Sequence, residues 1–106
     1  MKRKAFLIRV RPEFAREYEK RHNPIWPELY RELKTHGISN YSIFLHKDSN
    51  YLFGYYEIED EELFCKLSES EIMQRWWRYM AEILVCDDGN SEKGKEEILK
   101  EVFHLD

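Results

Sequence analysis

The elements spelled out by this 106-residue chain run strand, helix, strand, strand, helix, strand. That order predicts an α+β fold of the ferredoxin-like βαββαβ type, an antiparallel sheet with two helical layers on one face. Three observations carry the prediction. Apolar residues alternate over residues 4–11, 40–46 and 51–58, the period of strands. They recur at three- and four-residue steps over residues 14–33 and 63–85, the period of helices. Turn residues stand at the joins, as in His36-Gly37 and Lys47-Asp48-Ser49-Asn50.

In the first strand Phe6, Ile8 and Val10 point one way and Ala5, Leu7 and Arg9 the other. Pro12 stands where a helix can begin, and Phe14, Tyr18 and His22 follow at four-residue spacing. Tyr18 and His22 therefore share one helix face, about 6 Å apart along the axis. Pro24 and Pro27 then bracket Trp26. Proline has no backbone donor and clashes with the preceding turn, so the helix is expected to stop near Arg21, with a new one starting at Pro24 or Pro27. The break leaves His22 near a helix end, less walled in by a following turn and well placed to meet a ligand. The second helix carries Trp26, Leu29, Tyr30 and Leu33 and ends at His36-Gly37.

The hairpin comes next. Its first strand sets Tyr41, Ile43 and Leu45 against Ser42, Phe44 and His46. Its second sets Leu52, Gly54, Tyr56 and Ile58 against Tyr51, Phe53, Tyr55 and Glu57. Both faces are apolar, which a sheet with one face in water should not be. A second copy or a ligand is expected to cover the further face, and the function to sit on that side of the sheet or at its rim. An acidic cluster at 59–62 suits the positive end of a helix running through Leu63, Phe64 and Leu67. Ser68 or Ser70 caps a further segment reaching about Val85. Residues 87–95 read as a loop, and 98–105 as a last strand.

The totals narrow the function. One domain over residues 1–106 is expected at this length. With 17 basic and 21 acidic residues well mixed, the chain lacks the basic face of a nucleic-acid binder. The apolar run after Lys2-Arg3-Lys4 is interrupted by Arg9, too short for a secretory signal or a membrane span. Cys65 and Cys86 form neither a CxxC nor a disulfide framework, so they read as reduced thiols of a cytoplasmic protein. His22, His36, His46 and His104 show no metal-ligand spacing, and no metal site is expected. No GxSxG, phosphate-binding loop or dinucleotide fingerprint is present, which leaves nucleophilic hydrolysis and nucleotide binding without support.

What remains is a set of rings around one histidine. His22 changes charge near neutral pH and can act as a general acid or base, although a helix-end histidine can also merely cap a carbonyl. In Gln74-Arg75-Trp76-Trp77-Arg78-Tyr79 the helical arc of Ile72, Met73, Trp76, Met80, Ile83 and Leu84 puts Trp76 inside and Trp77 and Tyr79 at its edges. Core packing accounts for Trp76. Two adjacent tryptophans cannot both point to one helix–sheet contact, so one lines a boundary, where an apolar ring with a polar N–H suits a sugar. Tyr41 is either an ordinary cross-strand aromatic or a pocket residue.

Two long stretches, residues 21–29 (Arg-His-Asn-Pro-Ile-Trp-Pro-Glu-Leu) and 74–80 (Gln-Arg-Trp-Trp-Arg-Tyr-Met), closely resemble the L-rhamnose mutarotase family. Arg3-Lys4-Ala5-Phe6, His36-Gly37, Asn40-Tyr41 and Glu101-Val102-Phe103 extend the likeness over nearly the whole chain. Departures fall at residues 69–71 and 87–97, away from those motifs. The resemblance implies a cytoplasmic, cofactor-independent homodimer of the dimeric α+β barrel type, an isomerase of rhamnose metabolism that interconverts the α and β anomers of L-rhamnose. It puts the proton donor at His22 and substrate contacts at Tyr18, Tyr41, Trp76 and Trp77. It implies no nucleic-acid or membrane partner. Two alternatives share the architecture: a non-catalytic sugar sensor, and a cofactor-free or haem-degrading oxygenase.

Overall fold

A computed structural model describes residues 1–86 and 94–106. Four strands form one sheet in the order β2-β3-β1-β4, where β1 is Lys2–Arg9, β2 Ile38–His46, β3 Tyr51–Ile58 and β4 Glu97–Ile98. All three pairings are antiparallel. The helices are α1 (Ala15–Arg21), α2 (Pro27–Thr35), α3 (Glu61–Cys65) and α4 (Glu71–Ala81), with a short 3₁₀ turn at Lys66–Glu69 before α4. The predicted ferredoxin-like topology is the one observed. No helix among the described residues is long and apolar enough to cross a membrane.

The proline break divides the first helical region as expected. α1 stops at Arg21, the backbone N–H of His22 bonds back into its last turn, and Pro27 takes the first position of α2. α2 ends at Thr35 with His36 as its C-cap, and Gly37 turns the chain out at φ 78°, a conformation that costs glycine little. Asp60 caps α3 and Ser70 caps α4, each side chain accepting a backbone N–H.

One sheet face packs on the helices. Phe6, Ile8 and Val10, Leu52 and Ile58, Leu29, and Met73, Trp76 and Met80 are buried together. The Phe6 ring lies across Gly54, and a Cβ there would run into that ring.

β2 holds an irregularity that simple alternation does not predict. Ser39 opposes Glu57 and Ser42 opposes Tyr55, so Asn40 and Tyr41 together face the one residue Tyr56. This is a β-bulge, and Asn40 occupies it at φ 48°, where asparagine is tolerated better than most residues. The extra residue resets the alternation. Ile38 and Ile43, at an odd spacing, both pair across to inward positions, opposite Ile58 and Gly54.

Two expected boundaries are corrected. The last helix ends at Ala81, not Val85, because Leu84 bridges Val10 and the Val85 N–H donates to Arg9 O at 2.9 Å, drawing the chain along the edge of β1. The last strand spans two residues rather than 98–105. After Leu99 donates to Ala5 O, the chain leaves the sheet, and Val102, Phe103 and Leu105 lie more than three-quarters exposed. Of the expected loop, residues 87–93 lie outside those described, and Gly94 pairs with Cys86.

Candidate active site

A cavity of about 710 Å³ opens between the helices and the sheet. Tyr18 and His22 of α1, Tyr41 of β2 and Trp76 of α4 line it, with Met73, Leu52 and Ile38 supplying apolar wall. The cavity thus opens on the helix side of the sheet, whereas the sequence pointed to the face away from the helices or to the rim. The bulge turns Tyr41 inward, and the break between α1 and α2 leaves room beneath His22.

Four of the five expected site residues meet in this cavity. Tyr18 and His22, one turn apart, lie ring against ring with centroids 4.4 Å apart. Trp76 meets His22 edge to face at 5.2 Å and is itself held by Trp26, edge to face at 5.0 Å. Tyr41 stacks on Tyr56 at 5.1 Å, and both touch the Phe6 ring. Trp77 is not among the lining residues. One step round α4 from Trp76, it is half-buried against the core.

Residues that single-chain patterns did not single out shape the rim: Glu19, Asn23, Lys34 and Asn40 line the opening. Asn40 Nδ2 donates to Glu57 Oε1 at 2.9 Å, which ties the bulge to β3. The parity break between Ile38 and Ile43, with an asparagine between them, was the sequence signal for that bulge.

His22 Nδ1 lies 2.9 Å from Tyr18 O, one turn back in its own helix. A carbonyl can only accept, so Nδ1 carries the proton, and in the neutral ring Nε2 presents a lone pair. Burial pushes the His22 pKa down, only partly offset by that hydrogen bond, which favours the neutral ring at pH 7. Burial also pushes the phenols of Tyr18 and Tyr41 well up, with the Glu96 carboxylate adding to both shifts. Tyr41 lines the cavity while 42% of its surface stays exposed. Tyr56 is pushed to about 12, first by burial and then by Glu96. The site thus offers one neutral base beside phenols held as hydrogen-bond donors. Among the described residues, no group of three or more His, Cys, Asp or Glu is placed to hold a metal ion.

α1 is fastened to α4 by one side chain. Arg21 Nε donates to Glu17 at 2.8 Å, Nη1 to Tyr79 O at 2.6 Å and Nη2 to Glu82 at 3.2 Å, and its guanidinium lies 3.9 Å over the Tyr79 ring. This fork fixes the helix end from which His22 projects.

Comparison with known proteins places the chain among close relatives. The L-rhamnose mutarotase family model matches residues 3–105. A protein of Oceanobacillus iheyensis named L-rhamnose mutarotase is 52% identical over 106 residues, the whole of both chains. One of Shigella flexneri with the same name is 47% identical over 105 residues, 99% of each chain. Among solved structures, the L-rhamnose mutarotase of Formosa agariphila matches with a TM-score of 0.88 at 31% identity, covering all of both chains. A putative antibiotic biosynthesis monooxygenase of Nitrosomonas europaea matches with a TM-score of 0.64 at 10% identity over 97% of this chain and all of its own, a likeness of fold alone.

Proposed function

The chain belongs to the L-rhamnose mutarotase family, and from that premise we propose that the cavity between α1, α4 and β2 binds L-rhamnose and interconverts its α and β anomers, with His22 as the proton-transferring group. The observation that carries this reading is the His22–Tyr18 geometry: a neutral imidazole with Nδ1 fixed on a carbonyl and Nε2 free for proton transfer, inside a ring-lined pocket.

The step balances on one proton. Nε2 accepts the proton of the anomeric hydroxyl as the bond between C1 and the ring oxygen breaks. The imidazolium so formed returns that proton to the ring oxygen, leaving an open-chain aldehyde. Rotation about the C1–C2 bond presents the other carbonyl face. Closure reverses the transfers: the ring-forming hydroxyl gives its proton to Nε2 as its oxygen attacks C1, and the imidazolium protonates the carbonyl oxygen. His22 is thus proton acceptor first and proton donor second, and no redox group enters. Tyr18 and Tyr41 donate to sugar oxygens, and Trp76 covers the apolar face and the C6 methyl. Trp77 backs the wall from the neighbouring helix position.

In this reading residues 1–106 act as one domain, cytoplasmic and paired as a homodimer. What supports the pairing is the outer sheet face, where Leu7, Phe53 and Phe44 stand opposite one another across three strands. Nothing specific favours the oxygenase alternative. Turnover separates the enzyme from a sugar sensor, which would bind without exchange.

Saturation-transfer NMR on the anomeric protons of L-rhamnose tests the proposal. Native protein speeds exchange, and His22→Ala loses about 10²–10⁴-fold, the usual contribution of a positioned acid–base group. Undiminished exchange in the variant sinks the role of His22. No acceleration by native protein sinks the activity.

A further inference from the structure

We infer that Asn23 is a substrate-binding residue, its side-chain oxygen accepting a hydrogen bond from the C2 hydroxyl of the sugar while His22 works on the neighbouring anomeric hydroxyl. The inference deepens the L-rhamnose reading above and rests on it.

The end of α1 repeats one arrangement at two successive residues. His22 Nδ1 lies 2.9 Å from Tyr18 O, and Asn23 Nδ2 lies 2.8 Å from Glu19 O, each four residues back. A carbonyl accepts and cannot donate, so the second bond settles which edge of the Asn23 amide faces the helix. The NH2 group does, and Oδ1 stands on the free edge. Among the described residues, no donor of the protein bonds to Oδ1. His22, Asn23 and Ile25 all line the cavity, so the chain leaving α1 runs along its wall. The helix end thus sets two acceptors side by side, His22 Nε2 and Asn23 Oδ1, each steadied by a bond behind it.

The sugar has one group that fits beside the reacting hydroxyl. Nε2 takes the proton of the anomeric hydroxyl in the reaction above. The anomeric carbon has two neighbours in the pyranose ring. One is the ring oxygen, which carries no hydrogen in the closed sugar. The other is C2, whose hydroxyl does. An acceptor next to Nε2 is therefore matched to the hydrogen of O2. Glu19 also lines the cavity, but no bond within the protein holds its carboxylate in place. The Asn23 amide is tied already, so less freedom is lost when the sugar binds. O2 is present alike in both anomers and in the open chain, and a contact to it strengthens binding throughout the reaction. Such a contact lowers KM and leaves the barrier between bound states where it was.

Asn23 is exposed, so Asn23→Ala leaves the fold intact. Tryptophan fluorescence reads sugar binding, since Trp76 lines the pocket, and anomer exchange reads turnover. Both are measured with L-rhamnose and with its 2-deoxy analogue. The expected result is that Asn23→Ala binds L-rhamnose about 5-fold more weakly, the size of one neutral hydrogen bond, with the loss falling on KM rather than on kcat. For the 2-deoxy sugar, native protein and variant should bind alike, because the hydroxyl that Oδ1 would hold is missing. Equal affinity of the two proteins for L-rhamnose overturns the inference. Equal losses for both sugars overturn it as well, because the effect then does not run through O2. Native protein that binds L-rhamnose without speeding exchange would defeat the mutarotase reading, while the binding curves would still decide the contact at Asn23. Native protein that binds no L-rhamnose defeats both.

Discussion

His22 meets two demands with one hydrogen bond. Its Nδ1–H on Tyr18 O satisfies the helix end and also fixes which nitrogen faces the cavity. The same bond that caps the helix end leaves Nε2 toward the cavity, so capping and the proposed catalytic role are compatible in one ring. Burial gives the arrangement a pH signature. The folded-state pKa lies below the unfolded value of about 6.5, so between the two the unfolded chain binds the extra proton. The contribution to stability is therefore whole above about pH 6.5 and is lost as pH falls through the depressed folded value. Urea midpoints of native protein should drop across that acid window more steeply than those of His22→Gln, and parallel curves would reject the shift. The acid limb of kcat/KM should likewise have its midpoint below about 6.5, because turnover begins from the neutral ring. The Tyr18–His22 pair was legible as a four-residue spacing. That Nδ1 would turn back on the helix was not, since it depends on where α1 stops.

The bulge in β2 decides where Tyr41 points. Were β2 to alternate without the bulge, Ile38 and Ile43 would fall on opposite faces, and Tyr41 would take the side away from Ile38. Asn40 supports the bulge twice, by accepting φ 48° and by its bond to Glu57. Asn40→Val should cost about 1–2 kcal/mol from strain at that backbone angle, read from urea denaturation, and should raise KM by moving Tyr41. Asn40→Gly relieves the strain and should keep most of the activity. Equal loss in both variants would place the effect in the lost side chain, not in the bulge. Arg21→Ala should remove the fastening of α1 to α4 and cost about 1–3 kcal/mol, since Tyr79 O and two carboxylates lose a shared donor. Period and punctuation made most elements legible: the helix break at Pro24 and Pro27, the Gly37 exit and the Ser70 cap all follow local chemistry. The end of α4 and the length of β4 did not, because long-range pairing with β1 sets both. A heptad-like pattern continues to Leu84, yet the edge of β1 takes that residue first.

At the scale of the molecule, the pocket and the apolar outer face lie on opposite sides of the sheet. The cavity lies on the inner face and leaves the apolar outer face uncovered. Phe44 is 65% exposed and Phe53 47%, and the two stand directly opposite, with Leu7 next in the row. A contiguous apolar strip of this kind on an open sheet is the mark of an interaction surface. The tail adds Val102, Phe103 and Leu105, left in solvent once the chain departs from β1. A domain of this size buries a modest share of its surface by itself, so covering this strip would add to its stability. The occupant that needs no further assumption is a second copy, sheet against sheet, which covers both strips by symmetry. The native protein should then sediment as a dimer with a concentration-dependent Tm. Phe53→Glu, which sets a charge in the middle of the strip, should give a monomer whose Tm no longer depends on concentration. Because the pocket lies on the opposite face of the sheet, that monomer should keep its turnover at temperatures where it stays folded. A Phe53→Glu protein that remains dimeric would move the interface elsewhere. A folded monomer without activity would mean that the partner completes the site.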